Sequence, residues 1–144
     1  MPRKNQPTRS GPNRYKLFIS HAWDHDDDYN RLVALLHDHE DFDWDNHSVP
    51  KDHPLQLQTG PKLRDGLRRK MHYCHALLVI SGMYAGNRTW MQQEIDIAAR
   101  YRKPIIALRP YGASKVPRAV RDAANATVGW RGPSIVEAIR TLVD

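Results

Sequence analysis

The chain has 144 residues, 40% of them hydrophobic and 26% charged, with one cysteine and a formal net charge of +6. This is enough chain for one domain with a sizeable core, in the composition of a soluble globular protein. No run of about 18 apolar residues offers a membrane span, and the single Cys74 excludes an internal disulfide and fits a reducing, cytoplasmic setting.

The leading residues 1–14 are basic and rich in Pro, Asn, Ser and Gly, with no apolar stretch of the kind a signal peptide needs. Arg3, Lys4, Arg9 and Arg14 lie in this segment, which is expected to be a disordered tail. The remainder holds 18 basic against 16 acidic residues, too even a balance for a nucleic-acid footprint. Residues 15–144 are read as one domain.

Strands and helices then alternate. Tyr15–Ser20 is a short apolar strand. Asp26–His39 is helical, with Tyr29, Leu32, Val33, Leu35 and Leu36 on or beside one face and three aspartates in the first turn, where the helix dipole favours anions. Phe42–Val49 is a more polar candidate strand, and Pro50–Gly60 a loop bounded by Pro and Gly. Pro61–Cys74 is a helix whose Arg64, Arg68, Arg69 and Lys70 are read as a solvated face. Ala76–Ile80 is apolar without alternation, which marks a central parallel strand covered on both sides. Asn87–Lys103 is an amphipathic helix, Pro104–Leu108 a second apolar strand, Pro117–Ala124 a short helix, Thr127–Trp130 a short strand and Ser134–Leu142 the last helix. Such alternation predicts an α/β fold, a flavodoxin-like three-layer sandwich with a five-stranded parallel sheet in order 2-1-3-4-5 and helices on both faces.

Glu94 breaks the pattern of its helix. At about 100° per residue, Trp90, Met91, Ile95, Ile97, Ala98 and Tyr101 fall on one arc, and Glu94 lies near its middle. A carboxylate on a buried face must be protonated, paired or hydrogen-bonded, or must line a cavity that a ligand enters. In open parallel sheets ligands bind beyond the carboxyl ends of the strands where strand order reverses. In order 2-1-3-4-5 that crevice lies between strands 1 and 3, so Ser20, His21 and Trp23 leave one side of it and Ser81 and Tyr84 the other. Asp45 and Tyr84 are rim positions on topology alone. Glu94 sits on the helix that follows strand 3.

Several users of this architecture are excluded. A phosphate-accepting receiver needs an Asp at the end of strand 3, where Ser81 stands, and a flavin-binding loop after strand 1 would not be the acidic HAWDHDDD. No GxGxxG or GxxxxGK[ST] occurs. His21 and His25 with Asp24 and Asp26 lack diagnostic metal spacing and are read as polar residues at a helix start, so no metal site is assigned.

Two stretches carry a resemblance. Lys16–Trp23, KLFISHAW, resembles the first box of Toll/interleukin-1 receptor (TIR) domains, and Trp90-Met-Gln-Gln-Glu94-Ile resembles the TIR signature of a Trp one helical turn before a Glu. With LRDGLRRKMHYCHALLVISGMYA between them and a KPIIAL strand after them, the chain resembles the TIR-like proteins of the bacterial Thoeris antiphage system, over about Tyr15–Val143. The resemblance implies an enzyme that breaks the nicotinamide–ribose bond of nicotinamide adenine dinucleotide (NAD), with Glu94 catalytic. It further implies a cyclic ADP-ribose product that activates a separate effector protein, and homo-oligomers on activation. NAD is substrate, and no cofactor is implied. Ser20, His21 and Trp23 would floor the site and Trp90 would brace Glu94. Ala22 and Trp23 stand where some relatives carry basic residues facing the diphosphate, so that contact falls to backbone N–H groups or a basic residue elsewhere.

The chemistry agrees with one carboxylate. Cleavage of an N-glycosidic bond passes through an oxocarbenium-like transition state. Nicotinamide leaves as a neutral pyridine and needs no strong acid, while a single Glu can hold the ribose hydroxyls and stabilise the developing charge. Two other readings stand beside this one. The first is a non-catalytic assembly module using the 50–60 loop and the basic helix. The second is a nucleoside hydrolase or deoxyribosyltransferase, whose sites ordinarily employ more than one carboxylate.

Overall fold

The computed structural model describes residues 12–21, 27–49, 60–109 and 115–143. In chain order these form β1 (Tyr15–Ser20), α1 (Asp27–Asp38), β2 (Trp44–Asn46), α2 (Gly60–His72) and β3 (Ala76–Ile80). A 3-10 turn at Ser81–Met83 leads to α3 (Arg88–Arg100), β4 (Ile105–Leu108), α4 (Arg118–Ala123), β5 (Ala126–Val128) and α5 (Gly132–Leu142). The five strands pair in parallel in the expected order β2-β1-β3-β4-β5. The expected tail 1–14 lies outside the described residues up to residue 11, as does the 50–60 loop up to residue 59.

Strand alternation builds two separate cores, because successive side chains of a strand face opposite sides of the sheet. Phe18, Leu77, Val79, Ile105 and Ala107 pack under α2, α3 and α4 against Leu67, Met71, Met91 and Ile95. Leu17, Ile19, Leu78, Ile80 and Ile106 face the other way, against Leu32 and Leu36 of α1 and Ile135 and Ile139 of α5. β3 is buried over its whole length, as its unbroken apolar run requires of a strand covered on both faces. Among the described residues no helix is long and apolar enough to cross a membrane.

Several boundaries differ from the sequence reading, α2 ending at His72 and α5 beginning at Gly132 among them, and three have an evident local cause. β2 is three residues long, not the eight of Phe42–Val49. Asn46 Oδ1 accepts the Ser48 N–H at 3.0 Å, an Asx turn that ends strand pairing on this edge. The third helix stops at Arg100 and not at Lys103. Arg102 adopts φ +58°, and Lys103 N–H reaches back to the Ala98 carbonyl at 2.8 Å. This is a Schellman-type stop with Arg in place of the usual Gly, so no glycine signals it. Tyr101, expected on the apolar arc, is 43% exposed for the same reason. The last strand begins one residue earlier, at Ala126, and Trp130 instead donates its indole N–H to the Arg109 carbonyl at 2.6 Å.

Cys74 packs at the end of the α2 connection. Its thiol donates to the Lys70 carbonyl at 3.3 Å, and burial pushes its pKa up to about 12. A thiolate is the reactive species. The folded protein is therefore expected to resist a chromogenic thiol reagent at pH 8 over many minutes and to react with one equivalent at once in denaturant. Rapid reaction of native protein would contradict the packing role.

Candidate active site

The parity of β1 decides what its last residues meet. Ser20 has the same parity as Phe18, which packs on the α2–α3 side, and so it faces α3. His21 follows the parity of Ile19 and faces α1.

On the α3 side, Ser20 Oγ donates a hydrogen bond of 2.7 Å to Glu94 Oε1. Glu94 is 1% exposed and Ser20 0%. The Trp90 side chain, one turn earlier on α3, hydrogen-bonds the same carboxyl. Both partners are neutral, and among the described residues no Lys or Arg pairs with Glu94. Burial pushes the Glu94 carboxyl up to about 8, against the opposing pull of the hydrogen bonds from Ser20 and Trp90. Loss of hydration penalises the charged form, and two neutral donors do not restore it. Glu94 is therefore largely protonated at neutral pH in the unliganded protein. A deeply buried, strongly shifted carboxyl at a strand-order switch point makes Glu94 a candidate functional group.

On the α1 side, His21 is buried and stacks on Tyr29 of α1, ring centroids 4.0 Å apart and planes inclined by 19°. Its Nδ1 lies 2.9 Å from the Ile19 carbonyl. A carbonyl only accepts, so Nδ1 carries the proton. Tyr29 Oη in turn accepts from Asn46 Nδ2 at 2.6 Å. Asn46 Oδ1 receives the Ser48 hydroxyl, and Ser48 Oγ accepts the Ile19 N–H at 2.9 Å. The contacts close a circuit that begins and ends on Ile19 and fixes the imidazole at the mouth of β1.

The other expected site residues divide. Ser81 is buried at the end of β3, and its hydroxyl has no hydrogen-bond partner among the described residues. An unpaired buried hydroxyl costs about 1–3 kcal/mol, a cost that a ligand hydroxyl or carbonyl would relieve. Tyr84 is buried, and its hydroxyl donates to Gln92 Oε1 on α3, so it ties the 3-10 turn to the helix that carries Glu94. Asp45 is not brought to the site. It pairs in register with Lys16, four residues before Ser20, and is bound to Arg14 at 2.6 Å. Four residues of strand is about 13 Å. Trp23 lies outside the described residues, as do Asp24, His25 and Asp26.

Sequence reasoning missed Tyr29, Asn46, Ser48 and Gln92 as site-supporting residues. Tyr29 was legible in principle, since the parity that sends Ser20 to α3 sends His21 to α1. Asn46 and Ser48 were hidden because a polar strand end gives no sign of which way its side chains fold back.

A model of the family described as Thoeris protein ThsB, TIR-like domain, matches residues 18–115. The match covers about two thirds of the chain and includes Ser20, His21, Ser81, Trp90 and Glu94. No curated protein matches the chain.

Proposed function

Because the chain belongs to the ThsB TIR-like domains of Thoeris antiphage defence, we propose that it cleaves the nicotinamide–ribose bond of NAD, with Glu94 as the catalytic carboxylate. The observation that carries this reading is a buried Glu94 with only neutral partners among the described residues, held by Ser20 at the switch point between β1 and β3. Fully buried Glu side chains are rare in folded proteins and are ordinarily paired with a cation.

The bound nicotinamide ring is cationic, and its positive charge favours the ionised form of a neighbouring carboxyl. Glu94 then accepts hydrogen bonds from the ribose hydroxyls and opposes the positive charge that grows on C1′ as the C1′–N bond breaks. The bond's electron pair leaves with nicotinamide, which becomes a neutral pyridine. Attack by water on C1′, with loss of its proton, gives ADP-ribose. Attack by a hydroxyl of the adenosine half gives a cyclic isomer one water lighter. The His21–Tyr29 stack would wall the ribose pocket, and the unpaired Ser81 hydroxyl would meet a polar group of the substrate. The cyclic product fits a signal read by a separate effector protein.

The reading is tested by incubating concentrated protein with NAD, with and without lysate of phage-infected cells, and following nicotinamide and ADP-ribose species by mass spectrometry. Nicotinamide release from the wild type supports it. Silence of folded protein under both conditions turns the assignment to an assembly module.

The acidity of Glu94 sets the pH dependence. If the free enzyme must lose that proton, kcat/KM rises about tenfold per pH unit up to about 8 and then levels. The kcat profile, which reports the NAD complex, should turn at lower pH. Ser20→Ala removes a donor that stabilises the carboxylate, so its kcat/KM limb should move to higher pH with the plateau partly retained. A profile identical to the wild type would remove Ser20 from the site.

A further inference from the structure

Charge is segregated in this molecule. Residues 60–73 and 97–103, which form α2 and the end of α3, hold eight Lys or Arg against the single acid Asp65. Between residues 32 and 50 there is no Lys or Arg, while Asp38, Glu40, Asp41 and Asp43 are all exposed. The basic helices pack together in one layer of the sandwich and α1, which leads into the acidic turn, belongs to the other. Among the described residues no ion pair joins the two regions.

The two regions are opposite in charge, and each is locally well ordered. On the basic side a cavity of about 330 Å³ is lined by Arg68, Arg69, His72, Tyr73 and Tyr101. Tyr73 at 64% and Tyr101 at 43% exposure are the exposed large hydrophobic residues of the described chain, so both stand at one groove. Arg68 is held there by Asp65 and by the Tyr101 hydroxyl. Tyrosine and arginine side by side are the residue types enriched where proteins meet. On the acidic side the turn is fixed. Asp41 takes φ +59°, its carbonyl accepts from the Arg140 guanidinium, and buried Phe42 stacks on Tyr15 at 5.2 Å. A rigid acidic knob loses little entropy on docking.

We propose that the arginine–tyrosine groove between α2 and α3 receives the Asp38–Asp43 turn of a second copy of this chain. The contact lies at the amino ends of the strands, where α2 and α3 finish, and leaves the Glu94 end of the sheet uncovered. It does not rest on the catalytic reading. Exposed charge pairs are individually weak and screened over about 10 Å at 0.1 M salt, so the association should depend on concentration and fall steeply with salt.

Sedimentation velocity on the full chain tests this. Wild type should shift to larger species as concentration rises at 50 mM sodium chloride and return to monomer at 500 mM. Arg68→Glu/Arg69→Glu and Glu40→Lys/Asp41→Lys, each checked for native circular dichroism, should both be monomeric alone. Mixed in equal amounts they should associate again, because reversed charges face each other. The idea is overturned if wild type is monomeric throughout at low salt, if the Glu40→Lys/Asp41→Lys variant associates as the wild type does, or if the mixture stays monomeric. Binding of single-stranded DNA to the groove with no response to the acidic-turn variant would also overturn it, in favour of a nucleic-acid surface.

Discussion

Glu94→Gln is expected to reduce nicotinamide release by roughly 10²–10⁴-fold while leaving the circular dichroism spectrum unchanged. The substitution keeps the shape of the protonated side chain, and its amide oxygen can still accept from Ser20. What it removes is the ability to become negative when C1′ becomes positive. It should also change stability in a way that depends on pH. Glu94 has a folded pKa of about 8, well above the ordinary value of 4.5. In the folded state it holds its proton over a range where the unfolded chain has already released one. Its contribution is therefore fully present below about pH 4.5 and is lost as pH rises through 8. At 1.36 kcal/mol for each unit of displacement, this is a few kcal/mol as an upper bound. The Gln variant does not titrate, so its melting temperature relative to wild type should rise between pH 5 and pH 8. Parallel curves for the two proteins, together with normal turnover by the variant, would end the case for Glu94.

Phe18→Ala should be the most damaging change to the fold. Phe18 is fully buried in β1, which is flanked by β2 and β3 and carries both Ser20 and His21 at its end. Its ring packs in the core that also holds Leu77, Val79, Met91 and Ile95. Truncation removes the transfer energy of the ring and leaves a cavity, about 3–5 kcal/mol together. For a domain of this size that is roughly 10–20 °C of melting temperature, and a large part of a total stability of about 5–15 kcal/mol. Phe18→Leu refills most of the space and should cost far less. A scan showing the Ala variant within 5 °C of wild type would mean that α2 and α3 collapse onto β1 with unusual ease.

Sequence alone reached the sheet order because its two most informative strands, Ala76–Ile80 and Ile105–Leu108, are continuous apolar runs, and only a doubly covered parallel strand suits them. Glu94 stood out because helical periodicity put a carboxylate among apolar neighbours, and it is buried there. What escaped detection has a common physical cause. The Arg102 stop, the Asn46 turn and the exposure of Tyr101 all follow from backbone geometry at the end of an element, where local hydrogen bonds outweigh periodicity. The pairing of Asp45 with Arg14 depends on register, and a one-residue offset on an edge strand cannot be read from composition.

The end of β1 carries two tasks on adjacent residues. Ser20 serves the layer that holds Glu94, and His21 serves the layer that holds Tyr29. The division depends only on the twofold alternation of a strand, so it depends on counting rather than on chemistry. A single-residue insertion or deletion within Tyr15–Ser20 would exchange the two faces and disable both layers at once, although every residue type were kept. Over evolutionary time this strand should accept volume-conserving exchanges among its apolar residues, such as Phe18→Leu, and changes of length hardly at all. A library of β1 variants sorted for folding and function should show that contrast directly.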